Sequence, residues 1–141
     1  MAIAHYDQSS KITIYQQITN TSCAATCAAM CVNRSPETLQ ADGFNLGYAN
    51  WSGIAQAYGY SVTNGTASLS GILTILASGY PVIVKVNTGS NEHWVVVTAF
   101  TGEENSPAAS NFTCADPWTG ESVTLRYATR YNGIYTTKYF S

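Results

Sequence analysis

The chain has 141 residues, enough for one domain around one hydrophobic core. Apolar residues make up 45% of it and charged residues only 10%, well below the roughly 25% of an average soluble domain. The net charge is −2, and Lys and Arg form no cluster, which excludes the electrostatic footprint of a nucleic-acid binder. The longest apolar stretches, such as Trp94 to Phe100, are too short to span a bilayer.

From the N-terminus, Met1 to Tyr15 lacks the basic region and apolar run of an intact secretory signal. The low charge, offset by Ser, Thr, Asn, Gln and Tyr, suits a secreted or extracellular-acting domain. Residues 11–17 alternate loosely and are expected to form a short strand. Thr21 and Ser22 are both helix N-cap types, so a first helix is expected over Cys23–Val32. Ser35-Pro36-Glu37 starts a second helix, running to Ala41 and ending at Asp42-Gly43. Asn50 caps a third, Trp51 to Tyr58, with Gly59 as its terminator. Ser68 or Ser70 caps a fourth, carrying Ile72, Leu73, Ile75 and Leu76, with Gly79 as the stop.

After Gly79 the character changes. Pro81–Val86, His93–Phe100, Phe112–Ala115, Ser122–Tyr127 and Ile134–Phe140 read as strands rich in Val, Thr, Tyr and Phe. Helices first and antiparallel strands later give the segregated α+β pattern, one domain over residues 1–141.

Four cysteines, Cys23, Cys27, Cys31 and Cys114, punctuate the chain. The first three share one helix face at intervals of about 6 Å. Neighbours on a straight helix face do not readily form a disulfide, and Cys27 and Cys31 read as small buried residues. Cys114 pairing with one of them is the minority alternative. A zinc site from Cys23, Cys27, Cys31 and His93 is disfavoured, because zinc sites use close Cys pairs on a turn. No cofactor or metal is expected.

Cys23 stands at the helix start. There, unpaired backbone N–H groups and the positive end of the dipole stabilise a thiolate. Of the two histidines, His5 lies in a polar stretch, whereas His93 opens the apolar strand Trp94-Val95-Val96-Val97. A base at the first residue of a buried strand, after the turn Asn87 to Asn91, sits where core meets solvent. A protonated histidine nearby lowers the thiol pKa further. Asp116-Pro117 ends a later strand at a sharp corner, and a carboxylate there can fix the tautomer of a histidine on the adjacent strand. Gln17, ahead of Cys23, is a candidate side-chain donor to an oxyanion beside the backbone N–H of Cys23. Read alone, His93 suits a structural turn residue equally well, and Asp116 an ordinary Asp-Pro turn. Trp118 is expected in the core, with a place shielding the His–Asp pair as the alternative.

The order Gln, Cys at a helix start, His opening a strand, then Asp-Pro is distinctive. The segments Gln17–Met30, Gly79–Val84, His93–Val97 and Asp116–Gly120 resemble the bacteriocin-processing peptidases, which remove double-glycine leaders, and their stand-alone relatives. They also resemble papain-like effector proteases of plant-pathogenic bacteria. The resemblance runs from about Tyr15 to Gly120. It implies a papain-like fold, with N-terminal helices packed on a C-terminal antiparallel sheet. It further implies Cys23, His93 and Asp116 as a catalytic triad, Gln17 at the oxyanion hole, and a peptide or protein substrate. Ala24 stands where the first group usually has Gly, a change the helix accepts. The alternatives within the resemblance are an amidase or acyltransferase acting on cell-wall peptides, and an inactive binding domain.

Overall fold

A computed structural model describes residues 3–89, 91–129 and 132–141; Ser90, within the expected turn, lies outside them. The expected α+β architecture is present. The first helix is α1 (Cys23–Cys31), followed by α2 (Pro36–Ala41), α3 (Trp51–Ala57) and α4 (Leu69–Ala77). Three of these starts follow from capping chemistry. Ser35 accepts the N–H of Thr38, Asn50 that of Gly53, and Ser68 that of Gly71, each satisfying a donor the helix leaves unpaired.

The strands are β1 (Ile3–Asp7), β2 (Val62–Gly65), β3 (Val82–Asn87), β4 (Glu92–Glu103), β5 (Phe112–Asp116), β6 (Glu121–Thr124) and β7 (Asn132–Phe140). Among the described residues they form one seven-stranded antiparallel sheet in the order β2-β7-β3-β4-β5-β6, with β1 pairing the far half of β4. The apolar runs of β3 and β4 are continuous because both sheet faces are buried. Ile83, Val96 and Ala115 pack with α1, α2 and α3 on one face. Val82, Val84, Val95, Val97 and Cys114 pack with α4 and with α5 (Leu125–Thr129) on the other. Side-chain alternation along a strand produces this division.

Helix α1 has no polar stripe. Every residue from Ala25 to Cys31 is buried, so this Ala- and Cys-rich segment forms the centre of its layer, where small side chains allow close approach. Trp51 of α3 packs on Trp94 with ring centroids 4.9 Å apart, closing that layer against the sheet.

Three expectations are corrected. Residues 11–17 are not a strand: a 3-10 turn covers Ser9–Lys11, and residues 12–17 carry no regular structure. Backbone groups of this stretch bond to loops instead. Gln17 N–H donates to the Pro117 carbonyl at 2.7 Å, and the Lys11 carbonyl accepts from Asn33 Nδ2 at 2.9 Å. The strand expected over Ser122–Tyr127 stops at Thr124, and α5 follows, because Leu125 and Ala128 bury at helical spacing. Trp118 is not in the core but 55% exposed. All four cysteines are free thiols. Cys114 belongs to the opposite sheet face from Cys27 and Cys31, so the sheet itself separates it from them.

Candidate active site

Helix α1 delivers Cys23 at its first residue, beside a cleft of about 610 Å³. Ser22 occupies the N-cap position but does not cap the helix: its Oγ accepts from the Thr19 N–H and donates to the Thr19 carbonyl, both at 3.0 Å. That bond holds the 19–22 loop closed and leaves the first-turn N–H groups uncapped. One of them, from Ala24, reaches the Cys23 sulfur.

His93 and Asp116 come from neighbouring strands. Val97 pairs with Cys114 and Val96 with Ala115, so continuing the register sets Asp116 opposite Val95. His93 is two residues further along and on the same face, the diagonal position that long side chains bridge. His93 Nε2 lies 2.8 Å from Asp116 Oδ1, with both side chains largely buried. The same oxygen accepts the backbone N–H of Trp118 at 2.9 Å, so the Asp-Pro turn fixes the carboxylate before the histidine reaches it. Gly120 closes the turn, its N–H on the Asp116 carbonyl at 2.8 Å and its φ at +72°, in the left-handed region.

The electrostatics couple the groups. Burial pushes the Cys23 thiol up, but hydrogen bonds from His93 and from the Trp94 and Ala24 backbone, with the positive charge of His93, outweigh it and leave the thiol below its ordinary value. Burial works against protonation of His93. Hydrogen bonds to Asp116 and Cys23 and their negative charges prevail, raising the imidazole to about 9. With Nε2 committed to Asp116, Nδ1 is the ring nitrogen available to Cys23. The two shifts describe one thiolate–imidazolium pair.

The remaining cysteines have no such field. Burial drives the Cys27 thiol well above its usual value, pushes Cys31 up to about 12, and raises Cys114 further. His5 is exposed, 2.6 Å from Thr101 Oγ1, on the β1–β4 pairing and outside the cleft lining.

Gln17 is tied to the same region. Its Nε2 donates to the Thr19 carbonyl at 2.7 Å, its backbone N–H holds Pro117, and its Oε1 is buried without a hydrogen-bond partner among the described residues. An amide nitrogen carries two protons, so one remains after the Thr19 bond. Sequence reasoning missed Asn20, Thr88, Asn91, Glu92, Thr119 and Tyr127, which line the cleft with Cys23, His93, Asp116 and Trp118. Asn20, Asn91, Glu92 and Thr119 lie within three residues of Cys23, His93 or Asp116, whereas nothing local in the sequence pointed to Thr88 or Tyr127.

Comparison with protein families matches residues 9–139 to the Peptidase_C39 like family. The chain belongs to that family. The match covers nearly the whole chain and both ends of the cleft, including the Cys23, His93 and Asp116 segments. Among curated proteins no significant match is found.

Proposed function

We propose that this member of the Peptidase_C39 like family is a cysteine hydrolase that cleaves peptide bonds through an acyl-enzyme on Cys23. The observation that carries this reading is the linked arrangement of Cys23, His93 and Asp116, with the thiol lowered and the imidazole raised together.

The Cys23 thiolate attacks the scissile carbonyl carbon, forming a carbon–sulfur bond and placing negative charge on the carbonyl oxygen. The Cys23 backbone N–H and the second N–H of Gln17 Nε2 stabilise that oxyanion. The intermediate collapses by breaking the carbon–nitrogen bond, and the leaving amine takes the proton held on His93 Nδ1. The neutral imidazole then removes a proton from water, the hydroxide attacks the thioester, and the carboxylic acid departs as the thiolate is regenerated. Asp116 holds the ring orientation through both halves and offsets the imidazolium charge.

The test is incubation of the protein and of Cys23→Ala with a proteome-derived peptide mixture, read by mass spectrometry. Cleavage by wild type, absent in the variant, with a Cys23 thioester trapped at low pH, is the expected result. Cleavage that survives in Cys23→Ala, or no cleavage with a Cys23 that alkylates like a free thiol, overturns the reading.

A further inference from the structure

We propose that Ser22 is a positioning residue for the oxyanion: its hydroxyl, withheld from the helix cap, fixes the Thr19 carbonyl that anchors the Gln17 amide and leaves the Ala24 N–H to the Cys23 sulfur. This rests on the hydrolase reading above, with Gln17 as an oxyanion donor.

The other helices show what is withheld. Ser35, Asn50 and Ser68 each accept the N–H three residues on, from Thr38, Gly53 and Gly71. Ser22 holds the same N-cap position with an equally suitable side chain, yet makes no such bond. A cap there would take the N–H of Ala24 or Ala25. The Ala24 N–H is the one that reaches the Cys23 sulfur. Turning the hydroxyl away removes that competitor.

The hydroxyl serves the preceding loop instead. Its two bonds to Thr19, from the N–H and to the carbonyl, are each 3.0 Å. The Ser22 N–H also donates to that carbonyl, at 3.3 Å. The same carbonyl accepts Gln17 Nε2 at 2.7 Å. Gln17 Oε1 is buried with no hydrogen-bond partner among the described residues, so the nitrogen's bond to Thr19 is what orients the amide. A Thr19 carbonyl free to turn with its loop would carry the amide with it, and the second Nε2 proton would lose its aim. Ser22 itself is held firmly: it is fully buried, and its carbonyl accepts both the N–H and Oγ1 of Thr26, at 2.9 and 2.7 Å. One side chain thus ties the Gln17 amide to the helix that carries Cys23.

The experiment compares two reactions of Cys23 that share the thiolate and differ in the oxyanion. With p-nitrophenyl acetate, the thiolate bonds to the carbonyl carbon and charge builds on its oxygen. The carbon–oxygen bond to p-nitrophenolate then breaks, leaving a thioester. With iodoacetamide, the thiolate displaces iodide from a saturated carbon and no oxyanion forms. Both rates are measured for wild type, Ser22→Ala, Gln17→Ala, the double variant and Thr26→Val, with Cys23→Ala as background and thermal unfolding to verify the fold. Thr26→Val removes a buried bond to the same residue but keeps the Ser22 hydroxyl. Ser22→Ala should slow acylation about tenfold, less than loss of an oxyanion donor itself, with alkylation unchanged. The double variant should be no slower than Gln17→Ala, because Ser22 acts through that amide. Thr26→Val should lose stability and keep the wild-type ratio of the two rates. Equal slowing of both reactions in Ser22→Ala, acylation unchanged in Gln17→Ala, additive losses in the double variant, or a lowered ratio in Thr26→Val overturns the inference and leaves the hydrolase reading standing. No peptide cleavage by wild type, with these ratios as expected, overturns the peptide-bond reading alone. A wild-type Cys23 that reacts with both reagents like a free thiol overturns both.

Discussion

His93 Nε2 and Asp116 Oδ1 are 2.8 Å apart, and that oxygen is at the same time anchored by the Trp118 backbone N–H at 2.9 Å. The carboxylate is therefore positioned by its own turn, independently of the histidine it orients. Removing it disturbs ring orientation first and the thiol only through the ring. Asp116→Ala should lower kcat by about 10²-fold, the low end of what a positioned acid–base group contributes. Asp116→Asn, which keeps an acceptor oxygen, should retain more activity. Equal and complete loss in both variants would show that the negative charge, not orientation, is what matters.

Loss of the reacting groups should be far more severe. Cys23→Ala and His93→Ala should each cut turnover by at least about 10³-fold, and the double variant should be no worse than either, because the members act as a unit. His5→Ala, outside the cleft lining, should be near wild type. Steady-state kinetics on a single peptide decides this, and additive losses would contradict a shared pathway.

Activity against pH should be bell-shaped. The acid limb falls where the Cys23 thiolate takes up a proton, below the ordinary thiol value; the alkaline limb falls near pH 9, where the raised imidazole loses its proton. Both edges belong to the coupled pair. In His93→Ala the burial that pushes the thiol up remains while the positive partner is gone, so the acid limb of iodoacetamide alkylation should move to higher pH. An unmoved limb would mean the helix end alone sets the thiol.

Alkylation of the native protein near neutral pH should mark Cys23 alone. Cys27, Cys31 and Cys114 are buried, with thiols held above their usual values, so they should react only after unfolding. Peptide mapping before and after guanidinium treatment checks this, and early label on Cys27 or Cys31 would contradict the burial of α1.

Gly120→Ala should cost about 1–2 kcal/mol, since its backbone is left-handed. An added Cβ would also stand 3.1 Å from Gln16 Cβ, pressing the turn that fixes Asp116. Thermal unfolding and kcat should fall together; a drop in stability with kcat intact would separate the turn from the carboxylate's position.

Much of this was legible in the residues. Helices α2, α3 and α4 follow from Ser35, Asn50 and Ser68, because a cap is a local event between neighbours in sequence. Cys23, His93 and Asp116 were legible for a similar reason: a thiol at a helix start, a base at a strand start and a carboxylate at a turn are each local signs. The strands β1 and β2 were not. Each is short, and each is a strand only because a partner distant in sequence supplies its hydrogen bonds: Ile3 stands opposite Glu103, and Val62 opposite Phe140. Helix α5 is five residues long and formed by burial of Leu125 and Ala128, so no cap or long periodic stretch announced it. The exposure of Trp118 was hidden as well, since residue type favours the core and only the turn geometry turns it outward.

Strand β7 lies between β2 and β3, in the interior of the sheet, although it is built from residues 132–140. Val84 pairs with Thr137 on one side of β3 and with Val95 on the other. During synthesis, β3 therefore has an open edge until residues beyond Asn132 leave the ribosome. The Cys23 segment waits for Pro117 and Trp118 to bind Gln17 and Gln16. A ribosome-bound chain ending before Asn132 should thus lack a settled cleft. On the proposed hydrolase reading, the order of translation itself would then delay hydrolysis until β7 has joined the sheet.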